Sequence, residues 1–191
     1  MTDPAADLPA RLKAASAGAH RQLERDLDLL RAPLSQTRFT AQLRGFWGFH
    51  AAWEPVMRGR DELTDLMTGR YRLGALATDL RALGMSDDEI EALPLCEAAT
   101  SLARSTSDAL GLLYVMEGST LGGRMIAQAL RDAPWLPAGG LSYFNPYGPR
   151  TAARWRAVKA ALAAAASPDA DPVIEAAALM TFAVLGEWLA A

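Results

Sequence analysis

Two histidines, one cysteine and a group of closely spaced glycines are the residues through which this 191-residue chain could do chemistry. His20, His50 and Cys96 do not amount to the three or four nitrogen and sulfur ligands that a zinc site usually takes. No HExxH pair is present, and no Glu-x-x-His spacing recurs on two helices as a di-iron bundle requires. A GxSxG elbow, a Walker loop and a strand-borne GxGxxG are missing too, so hydrolase and nucleotide readings fall together. A haem site asks for less: one axial histidine, an apolar slot, a few cations for the propionates and a close distal surface.

Each of these parts has candidates. His20 flanks an apolar stripe near Leu23 and Leu27, and Glu24 lies one helical turn on, where it can orient the imidazole. Position alone does not decide between the two histidines, because His50 sits in the middle of an aromatic stripe, although bulky neighbours on its own face would crowd a macrocycle. Gly118 and Gly122 are four apart and present a bare strip of backbone that includes Ser119, and Gly123 widens it. Close helix packing is the competing reading of that spacing. Lys13 precedes His20 by about two turns and so shares its side of the helix, while Arg154, Arg156 and Lys159 form a basic turn further on.

These residues need helices to hold them. Leu8, Leu12, Ala15, Ala19, Leu23, Leu27 and Leu30 are spaced by threes and fours, as are Phe39, Leu43, Phe46, His50, Trp53 and Met57. A shorter helix around Leu73 to Leu83 stops at Gly84, and Ser86 with Glu89 forms a capping box before Pro94. Residues 97–131 read as helical almost throughout despite Gly111, Gly118, Gly122 and Gly123. Residues 133–150, with four prolines and three glycines, are the one substantial loop. Helices from Arg150 to Ala166 and from Val173 to Leu189, parted by SPDADP, complete an all-α, single-domain multi-helix bundle over residues 1–191, with 1–7 expected to be flexible.

Composition agrees: 51% hydrophobic and 21% charged residues suit a globular chain. A net charge of −3 offers no broad field for nucleic acid or anionic lipid. No apolar run reads as approaching the roughly 20 residues of a membrane span. The acidic N-terminus lacks the pattern of a signal or transit peptide, and a single cysteine fits a reducing compartment, so a cytoplasmic location is expected.

The segments LKAASAGAH at 12–20 with Glu24, YVMEGSTLGGR at 114–124, YFNPYG at 143–148 and RWRAVK at 154–159 resemble the haem oxygenase family, in the order found there. The likeness runs from about Leu12 to the Trp-Leu pair at 188–189 and is to small bacterial members that supply biliverdin to bacteriophytochromes. It implies a helical fold that clamps haem b, both substrate and cofactor, between a proximal and a distal helix. His20 would then be the iron ligand and Glu24 its partner, with Gly118, Ser119, Gly122 and Gly123 forming the distal wall. Lys13, Arg156 and either Arg154 or Lys159 would hold the propionates. The implied reaction consumes O2 and electrons from a ferredoxin or flavodoxin-type reductase and yields biliverdin, carbon monoxide and ferrous iron, with a bacteriophytochrome as receiver. Many members carry an aspartate where this chain has Ser119, which leaves Ser119, Glu117 or Arg124 to organise the distal side. A non-catalytic haem carrier or sensor is the second reading. A thiaminase-type enzyme acting through Cys96, which has no histidine near it in sequence, is the third.

Overall fold

A computed structural model describes residues 8–30 and 34–191 of the chain; the segment 1–7 expected to be flexible lies outside the described residues. Eight α-helices and no strand occur among the described residues: α1 Leu8–Leu27, α2 Gln36–Arg58, α3 Thr64–Met67, α4 Leu73–Ala82, α5 Asp87–Glu91, α6 Thr106–Leu130, α7 Thr151–Ala165 and α8 Ala170–Ala190.

The apolar stripe of α2 is the centre of the core. Phe39, Leu43, Phe46, His50, Trp53 and Met57 are all buried, as their spacing requires. Ser35 caps this helix by accepting the Arg38 amide. The stripe of α1 behaves differently along its length. Leu8 and Leu12 are buried, whereas Leu23 and Leu27 are only partly covered.

The expected continuous helix over 97–131 is divided. Glu97–Ser101 forms a tight 3-10 turn, and α6 starts afresh at Thr106 behind a capping box in which Ser105 and Asp108 bond each other's backbone amides. In the tail, α8 begins three residues before Val173, because Pro172 stands in its first turn, where a missing amide hydrogen costs nothing. Gly84 ends the α4 region with φ of 100°, a conformation open to glycine, and the Ser86–Glu89 capping box is present.

α8 corrects the expectation that no apolar run approaches the length of a membrane span. Its 21 residues include an 18-residue window of mean hydropathy 1.6. The reason is an alanine-rich middle with its acids near the ends, and the helix is used in the core. It packs along α6 and α1, burying Ile174, Ala177, Ala178, Phe182 and Leu185, and Arg11 of α1 pairs with Asp171 and Glu175 beside it. The α6–α8 contact is close because Gly111 has no side chain: a Cβ there would lie 2.6 Å from the Ile174 carbonyl oxygen and from Ala177 Cβ.

Gly111→Ala is therefore expected to destabilise the fold by about 1–3 kcal/mol through overpacking. Gly74→Ala, in a helical turn with open space around its Cα, should stabilise by up to about 1 kcal/mol. Urea denaturation of both variants checks the pair.

Candidate functional site

The helices α1 and α6 carry Lys13, His20, Glu24 and the glycine strip, α7 carries Arg154, Arg156 and Lys159, and the backbones of α1 and α6 stand well apart. Both pack instead on α7 and α8, which hold them apart. The gap is a cavity of about 950 Å³, at the upper end of the range for small-molecule sites. Its lining is mostly apolar, including Leu23, Leu27, Phe46, Val115, Ile126, Phe182 and Leu185.

One wall belongs to α1. His20 is half-exposed into the site, its ring edge-on to Phe182 at 5.9 Å between centroids. Its Nδ1 faces Glu24 Oε2 at 3.4 Å, which leaves Nε2 for a ligand. Leu23 and Leu27 line the same wall, which explains why the second half of the α1 stripe is not packed into the core. Lys13 lines the cavity as well.

The other wall belongs to α6, and its glycines have different tasks. A Cβ on Gly122 would meet nothing within 4 Å, and one on Gly118 would make only an ordinary contact with Trp155 at 3.6 Å. These two leave room. Gly123 also lines the cavity, but a Cβ there would collide with the Phe144 carbonyl oxygen, so its smallness serves the approach of the 133–150 loop to α6. Ser119 lines the cavity with its hydroxyl hydrogen already given to the Met116 carbonyl at 2.7 Å, which leaves it able only to accept.

The cations divide. Lys13 and Lys159 line the cavity, and so do Arg21 and Arg72, which residue spacing does not single out. Arg154 does not. Its guanidinium donates to the Thr68 carbonyl at 2.8 Å and lies over the Tyr147 ring, and the backbone around Gly69 packs against it. Arg156, one step further round α7, is exposed and is not part of the cavity wall.

Behind α6 lies a polar cluster that residue spacing does not reveal. Glu117, one residue before Gly118, is buried and accepts from Arg70, from Arg72 at 3.1 Å and from the Tyr147 hydroxyl at 2.7 Å. It is thus committed to this cluster and not to the cavity, while Arg124 is exposed and outside the wall. Burial pushes the Tyr147 hydroxyl pKa up to about 12. Buried Asp79 accepts the backbone amides of Ser142 and Tyr143, both at 2.8 Å, and so anchors the loop. His50 is buried with both ring nitrogens engaged, Nδ1 with Glu54 at 2.9 Å and Nε2 with the Tyr143 hydroxyl at 3.2 Å. It does not line the cavity, whereas His20 does.

A family model described as Heme oxygenase matches residues 6–191. The chain belongs to the haem oxygenase family. A haem oxygenase of Xanthomonas campestris pv. campestris is 40% identical over 106 residues, covering 53% of this chain and 59% of that protein. The chain thus spans less than two thirds of that curated relative. Two solved structures share the fold: the haem oxygenase of Leptospira interrogans (TM-score 0.77, 16% identity, 96% of this chain and 98% of that one) and that of the cyanobacterium Synechocystis sp. PCC6803, solved in complex with haem (TM-score 0.75, 14% identity, 96% and 90%). The haem oxygenase 2 of Chlamydomonas reinhardtii, solved without haem, is similar too, at TM-score 0.72 and 21% identity, covering 96% of each chain.

Burial of His50 lowers its pKa below the usual value of 6.5, against the opposing pull of Glu54. Below about pH 6.5 the unfolded chain takes a proton that the folded chain refuses, so stability falls as pH falls. His50→Gln should flatten that dependence by up to about 1.4 kcal/mol per pH unit relative to wild type. Urea midpoints of both proteins between pH 7.5 and 5 measure the difference.

Proposed function

We propose that the chain binds haem b in the gap between α1 and α6 and opens its ring with O2 and external electrons, releasing biliverdin, carbon monoxide and ferrous iron. The observation that carries this reading is the pairing of a half-exposed imidazole on one wall with side-chain-free backbone at Gly118 and Gly122 on the other, across a largely apolar cavity. When bound, haem supplies the iron at which oxygen is activated, and its own ring is the substrate.

The protein's part is to bind, orient and exclude water. His20 Nε2 is the iron ligand in this reading, and Glu24, facing Nδ1, holds the ring's orientation and raises its basicity. Lys13, Lys159 and Arg21 are the cations on the wall able to meet carboxylates, since Arg72, also on the wall, is paired with Glu117. Arg154 and Arg156 leave the propionate set, the first because its guanidinium is engaged at Thr68 and Tyr147. Gly118 and Gly122 let the α6 backbone lie close to a flat ligand, and Phe46, Ile126 and Phe144 keep that side apolar. Electrons would come from a ferredoxin or flavodoxin-type reductase, and a bacteriophytochrome is the proposed receiver of biliverdin.

Titration with hemin tests the binding. Wild type should give a Soret band with a histidine signature, and His20→Ala should lose that signature; an unchanged spectrum in the variant overturns the assignment. Glu24→Ala should weaken haem binding by about 10-fold. Gly122→Leu should fold at least as stably as wild type, because its Cβ meets open space, yet bind hemin more weakly. Reductant and O2 added to the complex should replace the haem spectrum with that of biliverdin. A stable oxygenated complex would instead establish a haem carrier.

A further inference from the structure

A second, smaller concavity lies on another flank of α7. It is a groove of about 300 Å³ between α3 and α7, lined by Asp65, Leu66, Arg70, Arg150 and Arg154 together with two alanines of α7. None of these residues borders the larger cavity.

Three guanidiniums meet in this groove, in a chain whose net charge is −3. Arg70 is buried; its Nε donates to the Leu66 carbonyl, its Nη1 to Glu117 and its Nη2 to the Arg154 carbonyl at 3.2 Å. Arg154 Nη1 donates to the Thr68 carbonyl at 2.8 Å. Gly69, with φ of 68°, passes so close that a Cβ there would lie 2.7 Å from Arg154 Nη2. The Arg150 guanidinium is exposed and has no hydrogen bond or ion pair among the described residues. A guanidinium carries five N–H donors. After these bonds two remain on Arg70, four on Arg154 and all five on Arg150.

Positive charge is in excess as well. Behind the groove Arg70 and Arg72 share the single carboxylate of Glu117, so two cations face one anion in a buried cluster. Asp65 is the one acid on the wall of the groove, and it is exposed and forms no ion pair among the described residues. What these groups lack is a compact anion with acceptors pointing several ways. A tetrahedral oxyanion has that shape, and the guanidinium fork meets it two bonds at a time. The volume is at the lower end of the range for small-molecule sites, which suits a free oxyanion or a small ester.

We propose that the groove between α3 and α7 binds a small oxyanion of the phosphate class, and that its occupation is felt at α6 through Arg70. Arg150 and Arg154 hold the anion from α7, and Arg70 meets it with its two spare donors. Because Arg70 also holds Glu117, the residue before Gly118, the anion supplies the negative charge that the buried cluster lacks and steadies α6 in its register.

Calorimetric titration of the full chain with inorganic phosphate, against chloride at the same ionic strength, tests the site. Wild type should show saturable uptake. Arg150→Gln, which removes no side-chain bond within the protein, should weaken it roughly tenfold. Asp65→Asn should tighten it, and Ala157→Glu, which places a carboxylate in the groove, should abolish it. A wild type that answers phosphate as it answers chloride overturns the proposal, as does an Arg150→Gln variant that binds as wild type does. Adenosine monophosphate as a second titrant separates the sources, since tighter binding than phosphate points to an ester and weaker binding to the free anion. In saturating phosphate, hydrogen exchange at the α6 amides around Gly118 should slow by roughly fivefold in wild type and stay unchanged in Ala157→Glu. Exchange that is indifferent to phosphate in wild type overturns the link to α6. Neither measurement uses haem, so their outcome is independent of the haem reading.

Discussion

Two helices that share a cavity must be kept apart by something other than each other, and here that something is α8. It meets α6 at backbone distance through Gly111 and meets α1 through the ion pairs of Arg11 with Asp171 and Glu175. α7 supports the same arrangement from a second side, with Trp155 against both Tyr114 and Gly118. The His20 wall and the glycine wall are therefore positioned by a shared scaffold. The spacing of the two walls is set largely by contacts that α1 and α6 make with α7 and α8.

The register of α6 matters as much as its distance. Rotation by one residue would replace Gly118 with the carboxylate of Glu117 or the side chain of Ser119. Glu117 prevents this by being tied behind the helix to Arg70, Arg72 and Tyr147. A buried charge cluster of this kind adds little net stability, since desolvation offsets much of the attraction, but a misplaced partner in it is costly. Its value is in orientation. Asp79 does the same for the loop, so that Phe144 reaches Gly123 and Tyr143 reaches both the cavity and His50.

Periodic features were legible in the residue order and long-range ones were not. The aromatic stripe of α2 and the Ser86–Glu89 box rest on contacts within a few residues, and both stand as read. Gly118, Gly122 and Gly123 looked alike as a bare strip, yet Gly123 differs because its neighbour is the Phe144 carbonyl, which lies outside any local pattern. Lys13 and Lys159 meet at one cavity although far apart in sequence, whereas Arg154 and Arg156, adjacent to Lys159 in sequence, do not. On a helix Arg154 lies well round from Lys159, and even Arg156, three residues away on a neighbouring face, falls outside the wall, because only the partner helix decides which of them faces the site. The Glu117 cluster joins residues from three separate segments, so no spacing could reveal it.

The two histidines make the general point most sharply, because both occur as His-x-x-x-Glu on a helix and both place Nδ1 against the glutamate one turn on. Sequence alone makes them equivalent. Their chemistry diverges at the other nitrogen. His20 is half-exposed in the cavity, so its Nε2 is available to a metal bound there, and Glu24 makes it a stronger donor. His50 is buried, and its Nε2 meets a phenol in place of open space, so the same carboxylate fixes a tautomer and the direction of a hydrogen bond. Burial therefore places one local motif in two environments, an imidazole open to the cavity on α1 and an imidazole sealed from it on α2.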